Sequence, residues 1–152
     1  MSLRQGVRQR HRLHLHAHDA PQVPLLDRVD IQLEVERVSL ANFGQSGGEE
    51  DSATVAGRVR AARVRQLQRL GPLGMETNSQ VPGRVLRGEL RLASGTTGIL
   101  DRSLERGVLT ARGYDRVLRL AWTLADLACR ERPDTNDIGQ ALSLRQAASA
   151  AA

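Results

Sequence analysis

The chain has 152 residues, room for one domain with a modest core and too few for two full ones. Phe43, Tyr114 and Trp122 are its only aromatic rings, so Leu, Val, Ile and Ala must build the core, which favours helices over a β-sandwich. The net charge is +5 and all 22 basic residues are arginine; without lysine, neither a complete P-loop nor a Schiff-base enzyme is possible in this sequence.

Such a charge suits a phosphate-rich partner or an acidic neighbouring subunit, and it suits equally an arginine-rich solvated surface. A single cysteine, Cys129, cannot form an internal disulfide or a multi-thiolate zinc site; on an apolar helix face it reads as a buried small hydrophobe. No apolar run approaches the roughly 20 residues that span a bilayer, so no membrane partner is expected and the cytoplasm is the default location.

Residues 1–23 form an atypical basic, histidine-rich segment. His14, His16 and His18 alternate beside Asp19, but no downstream His or Cys pair completes a catalytic metal shell, so no metal site is assigned. In VDIQLEVE (29–36), Val29, Ile31, Leu33 and Val35 alternate with polar residues at the period of a half-buried strand. A lone strand leaves its backbone unpaired. It needs RLHLHA (12–17) as partner, or a sheet outside this chain.

Residues 41–51, rich in Gly and carboxylates, read as a flexible linker in which Glu49, Glu50 and Asp51 are solvated. Residues 52–146 read as a helical unit and 147–152 as a disordered tail. Its first helix starts at Ser52 as N-cap and stops at Gly71-Pro72, with Val55, Val59, Ala62, Gln66, Leu67 and Leu70 inward and Arg58, Arg65 and Arg69 largely elsewhere. Residues 71–96 read as loop, with Pro82 at N1 of a short helical turn. A helix from about Gly98 to Arg106 stops at Gly107.

The longest helix, in LTARGYDRVLRLAWTLADL (109–127), takes Thr110 as N-cap, folds Leu109 back towards Tyr114, and continues to about Arg130. Val117, Leu118, Ala121, Leu124, Ala125 and Ala128 cover one half of it, leaving Arg112, Arg116, Arg119 and Arg130 outside. Arg112 shares the first turn with the positive end of the helix dipole, which makes it the geometric favourite for a phosphate. Asp134 or Thr135 caps a last short helix containing Ile138, Ala141 and Leu142. The fold class is mainly α: a small helical bundle preceded by one residual strand.

PLLDRVDIQLEV (24–35), NSQ (78–80), LTARGYDRVLRLAWTLADL and RPDTNDIGQALSLR (132–145) together resemble the C-terminal part of magnesium-chelatase-like AAA+ ATPases of the ComM competence type. The resemblance covers about residues 24–145. It implies that residues 24–40 are a remnant of the nucleotide-binding core, whose sheet is built by upstream sequence, and that 52–146 are the helical lid. Arg28 would match the arginine finger reaching the γ-phosphate on a neighbouring subunit; from its surroundings alone, an ion pair with Asp27 or Asp30 is the other reading. Arg112 would match the sensor-2 arginine.

The intact family works as a hexameric ring with ATP and Mg, and ComM-type members are associated with branched-DNA remodelling in natural transformation. This sequence has no Walker A or Walker B and lacks the Ser-Gly that precedes Pro-Leu-Leu-Asp-Arg in the family. A truncated or frame-shifted gene product, with no cofactor of its own and no ATP hydrolysis alone, is the expectation. The alternative is a stand-alone basic helical module that binds nucleic acid through the Arg58 to Arg69 and Arg112 to Arg130 faces.

Overall fold

A computed structural model describes residues 30, 31, 33 and 50–146. The described part is a helical bundle: α1 (Ser52–Leu70), 3-10 turns at Gly71–Leu73 and Asn78–Gln80, α2 (Gly83–Arg87), α3 (Ser94–Glu105), α4 (Ala111–Leu127) and α5 (Thr135–Gln146). No strand occurs among the described residues. Asp30 lies in a bend, Ile31 and Leu33 are exposed, and the rest of the expected strand over 29–36 lies outside the described residues, as do His14, His16 and His18.

Helix α4 is the hub, packing against α5, α1 and, more lightly, α2 and α3. Its apolar face is the most buried among the described helices: Val117, Leu118, Ala121, Trp122 and Ala125 are buried together with Leu70, Leu86, Leu100, Ile138 and Ala141 from the surrounding helices. This is the face the spacing predicts, although Leu124 and Ala128, at its edge and end, are only partly covered or exposed.

The N-cap of α1 is Asp51, one residue before the expected Ser52. Its Oδ1 accepts from the Thr54 N–H at 2.6 Å, and the Thr54 hydrogen bonds hold the Asp51 carboxyl below the usual carboxylate range. Asp51 is therefore part of a helix end and not of a linker. Only the second half of α1 reaches the bundle: Ala62, Gln66 and Leu70 are buried, while Val55, Val59 and Leu67 remain exposed.

Arg69 also departs from its expected outward place. At 100° per residue it lies only about 20° from Ala62 around the helix, so it turns inward with the core face. There its guanidinium meets the buried carboxylate of Asp126.

Residues 71–96 hold more structure than a loop. Glu76 and Thr77 N–H groups both donate to Gln80 Oε1, closing the Asn78–Gln80 turn, and Pro82 is the N-cap of α2, not its first residue. Helix α3 starts a turn earlier than Gly98. Glycine and threonine lower the helical propensity of Ser94–Gly98, but burial of Thr97 beside Leu100 overrides it. Gly107 follows α3 at φ 70°, the left-handed conformation expected of a helix stop.

Helix α4 ends at Leu127, three residues short of Arg130. Cys129 takes φ 60°, its N–H donates to the Asp126 carbonyl, and the Arg130 N–H donates to the Ala125 carbonyl, which together form a Schellman closure. Cys129 is exposed, contrary to the buried role its apolar neighbours suggest, because the left-handed turn lifts it off the helix face. Asp134 then caps α5 reciprocally: its Oδ1 accepts from the Asp137 N–H and Asp137 Oδ2 accepts from its own N–H, both at 2.9 Å.

Candidate functional site

Thr110 begins α4, its Oγ1 accepting the Gly113 N–H at 3.0 Å. Gly113 leaves room for this cap and for Leu109, whose Cδ1 would lie 2.8 Å from any Cβ added there. The same turn is anchored to α3 by Tyr114. Its hydroxyl donates to Asp101 Oδ1 at 2.8 Å, and Thr97 donates to the other carboxylate oxygen at 2.9 Å. Burial, reinforced by the Asp101 carboxylate, pushes the Tyr114 phenol up to about 12.

Arg112, Arg116 and Arg119 follow at steps of four and three and share one flank of α4. Arg87 approaches from the last residue of α2, its guanidinium paired with Asp115. The close approach depends on Gly83: a Cβ there would fall 2.1 Å from Asp115 Oδ2. Arg87, Ala111, Arg112, Asp115, Arg116 and Arg119 line a groove of about 690 Å³ at the N-terminal end of α4.

These arginines are fixed to different degrees. Arg119 Nε donates to the Val81 carbonyl at 2.9 Å, tying its stem to the end of the Asn78–Gln80 turn. Arg116 is mostly buried, with Nε 3.4 Å from Asp30 Oδ1, and its Nη1 makes no hydrogen bond among the described residues. Arg112 is exposed on the groove wall. Four guanidinium groups thus line the groove with one carboxylate, Asp115, beside the positive end of a helix dipole, an arrangement of directional cationic donors whose chemistry suits oxyanions.

The structure thus brings Arg112, Arg116 and Arg119 together as their spacing predicts, and adds Arg87. No periodicity in the sequence flags Arg87, because its helix is only five residues long. Arg130 belongs elsewhere. It sits beyond the opposite end of α4, paired with Asp137 and 3.7 Å from Asp134. Arg28 lies outside the described residues.

A second cleft, of about 380 Å³, opens between α1 and the Asn78–Gln80 turn, with Arg63, Gln66, Asn78, Thr123 and Asp126 among its lining. Its polar groups bond to one another. Arg69 donates to both Asp126 oxygens at 2.6 and 2.7 Å and to Asn78 Oδ1 at 3.0 Å; Asn78 Nδ2 lies 3.0 Å from both Asp126 Oδ2 and Thr123 Oγ1. The Arg69 guanidinium also stacks 4.3 Å above the centre of the Trp122 ring. This network is a structural clasp between α1, the turn and α4, and it gives the Asn of the NSQ motif its role.

Among the described residues no three His, Cys, Asp or Glu side chains converge to hold a metal ion, and no helix is long and apolar enough to cross a membrane.

Comparison with known proteins agrees with this architecture. Residues 49–145 match the family described as magnesium chelatase, subunit ChlI C-terminal. An uncharacterised protein of Mycobacterium tuberculosis is 44% identical over 123 residues, covering 81% of this chain and 24% of the relative. The competence protein ComM of Haemophilus influenzae is 31% identical over 125 residues (80% and 23%), and the uncharacterised YifB of Escherichia coli is 32% identical over 127 (83% and 23%). The chain therefore spans about a quarter of the length of these relatives. With most of its length matched and the helical bundle in place, the chain belongs to the magnesium chelatase ChlI C-terminal family.

Proposed function

We propose that this chain serves as the lid of a ComM-type AAA+ ATPase and that its arginine groove engages the phosphates of ATP. The observation that carries this reading is the convergence of Arg87, Arg112, Arg116 and Arg119 at the first turns of α4, in a chain of the magnesium chelatase C-terminal family. The buried Arg116 Nη1 without a hydrogen-bond partner among the described residues fits a groove that takes an additional oxygen acceptor. Arg112, exposed in the first turn, donates to phosphate oxygens and offsets the negative charge that spreads over the transferred phosphoryl group.

Arg28 acts in this reading as the arginine finger towards a neighbouring subunit in a ring. The lid takes no part in holding Mg²⁺, which arrives with the nucleotide and the core. ATP turnover coupled to DNA branch remodelling is the activity proposed for the whole assembly. A stand-alone nucleic-acid module is less well supported, because α1 spends two of its arginines internally, Arg58 on Glu50 and Arg69 on Asp126.

The test is a fusion of a ComM-type nucleotide-binding core to residues 24–145, assayed for ATP turnover. Arg28→Ala is expected to slow turnover on the order of 10³-fold, the usual worth of an arginine finger. Arg112→Ala is expected to slow it between about tenfold and a hundredfold, the loss of one or two charge-assisted hydrogen bonds. Turnover unchanged by both substitutions would overturn the reading.

A further inference from the structure

Arg116 on α4 and Arg145 on α5 come from different helices, yet both point at one carboxylate. Arg116 Nε lies 3.4 Å and Arg145 Nη1 lies 3.9 Å from Asp30 Oδ1. The two arginine side chains are 15% and 13% exposed, whereas Asp30 is 62% exposed. The cations are thus set into the bundle surface and the anion is laid over them. Two guanidinium groups brought this close repel each other unless an anion intervenes, and a carboxylate shared between them supplies it.

Asp30 belongs to PLLDRVDIQLEV, a stretch separated in sequence from α1 by the glycine-rich segment 42–51. Its neighbours Ile31 and Leu33 are exposed, so neither of them contributes apolar burial against the bundle. The ion pairs hold Asp30 to it.

We infer that Asp30 is an electrostatic latch, bridging Arg116 and Arg145, that ties this point of the chain to the end of the lid formed by α4 and α5. The latch has a further consequence, which rests on the functional reading above. Arg116 also lines the arginine groove, so the latch shares a side chain with the phosphate receptor. Asp30 and Arg145 are accordingly positioning residues: they hold the Arg116 side chain where it borders the groove.

The 152-residue chain carries its own probe, since Trp122 is its only tryptophan and is buried in α4. An acceptor dye on Leu33→Cys in a Cys129→Ser background reports the distance between the segment and the lid by energy transfer. High transfer is expected at low salt. It should fall with Asp30→Asn, Arg116→Gln or Arg145→Gln, and on raising ionic strength to about 1 M, where the Debye length is about 3 Å. Exchanging the charges, Asp30→Arg with Arg116→Asp, should restore it. Thermal unfolding followed through helical circular dichroism should stay within a few degrees for Asp30→Asn, showing that the bundle itself is intact.

Transfer that is low in the parent, or unmoved by Asp30→Asn and by salt, overturns the latch. In the core fusion, Asp30→Asn should lower kcat while leaving KM unchanged. If the dye responds and kcat does not, the bearing on the groove is overturned and the contact stands; if kcat is also insensitive to both Arg28→Ala and Arg112→Ala, the functional reading is what has failed.

Discussion

Arg69 and Asp126, 57 positions apart in sequence, meet through two parallel hydrogen bonds of 2.6 and 2.7 Å between α1 and α4. Asp126 is 1% exposed and its second oxygen also accepts from Asn78, so water cannot replace a lost partner. Truncating one member leaves the other charged and buried. Asp126→Ala is therefore expected to cost about 3–5 kcal/mol, measured by urea unfolding with Trp122 fluorescence as the signal. A loss below about 1 kcal/mol would show that the clasp is not a buried pair.

Cys129 holds a left-handed conformation that costs an L-residue with a Cβ about 1–2 kcal/mol. Glycine adopts it freely. Cys129→Gly should stabilise the fold by about 1 kcal/mol, with part of the gain offset by the greater freedom of glycine in the unfolded chain. Calorimetry reads the change directly, and a lower melting temperature would contradict the Schellman closure.

The raised Tyr114 phenol makes an alkaline prediction. The folded chain keeps this proton up to about 12, whereas the unfolded chain releases it near 10.0. Between those values the native state binds more protons than the unfolded state, so stability falls as pH rises through that window and is fully present below it. Tyr114 is partly exposed, so solvent screening reduces the effect to on the order of 1 kcal/mol. Tyr114→Phe should flatten that part of the stability–pH profile, as followed by melting temperature across the window.

Arg112 and Arg130 lie towards opposite ends of α4, and only Arg112 lines the groove. In the core fusion, Arg112→Ala should slow ATP turnover with little change in melting temperature. Arg130→Ala should do the reverse, because it removes the cation that pairs with buried Asp137 at the start of α5. Equal kinetic effects from the two would indicate that general positive charge, rather than position in the groove, supports turnover.

The parts of this architecture legible in the sequence are those written in local spacing. The period of α4 separates Val117, Leu118 and Ala121 from Arg112, Arg116 and Arg119, and Thr110 and Gly107 mark their helix ends by local hydrogen-bonding and backbone preference. The Arg69–Asp126–Asn78 clasp was not legible, since its members are distant in sequence and each alone reads as a polar side chain facing water. Arg87 reaches the groove through the packing of a five-residue helix that carries no usable period. Cys129 was misplaced because its apolar neighbours suggest a continuing helix, while the turn that ends it depends on backbone bonds to Ala125 and Asp126. Of the strand expected over 29–36 only residues 30, 31 and 33 are described, and among them Asp30 contacts α4 and α5.

The unequal burial along α1 sets how the bundle opens. From Ser52 to Arg60 every side chain faces solvent, and only from Ala62 onward does the helix lean on its neighbours. Amide protons in the first two turns should consequently exchange with deuterium through fraying events that leave the rest of the protein folded. Those around Gln66 and Leu70 must wait until the Arg69–Asp126 clasp lets go, so a single continuous helix will show two exchange regimes, with the change falling near Ala62.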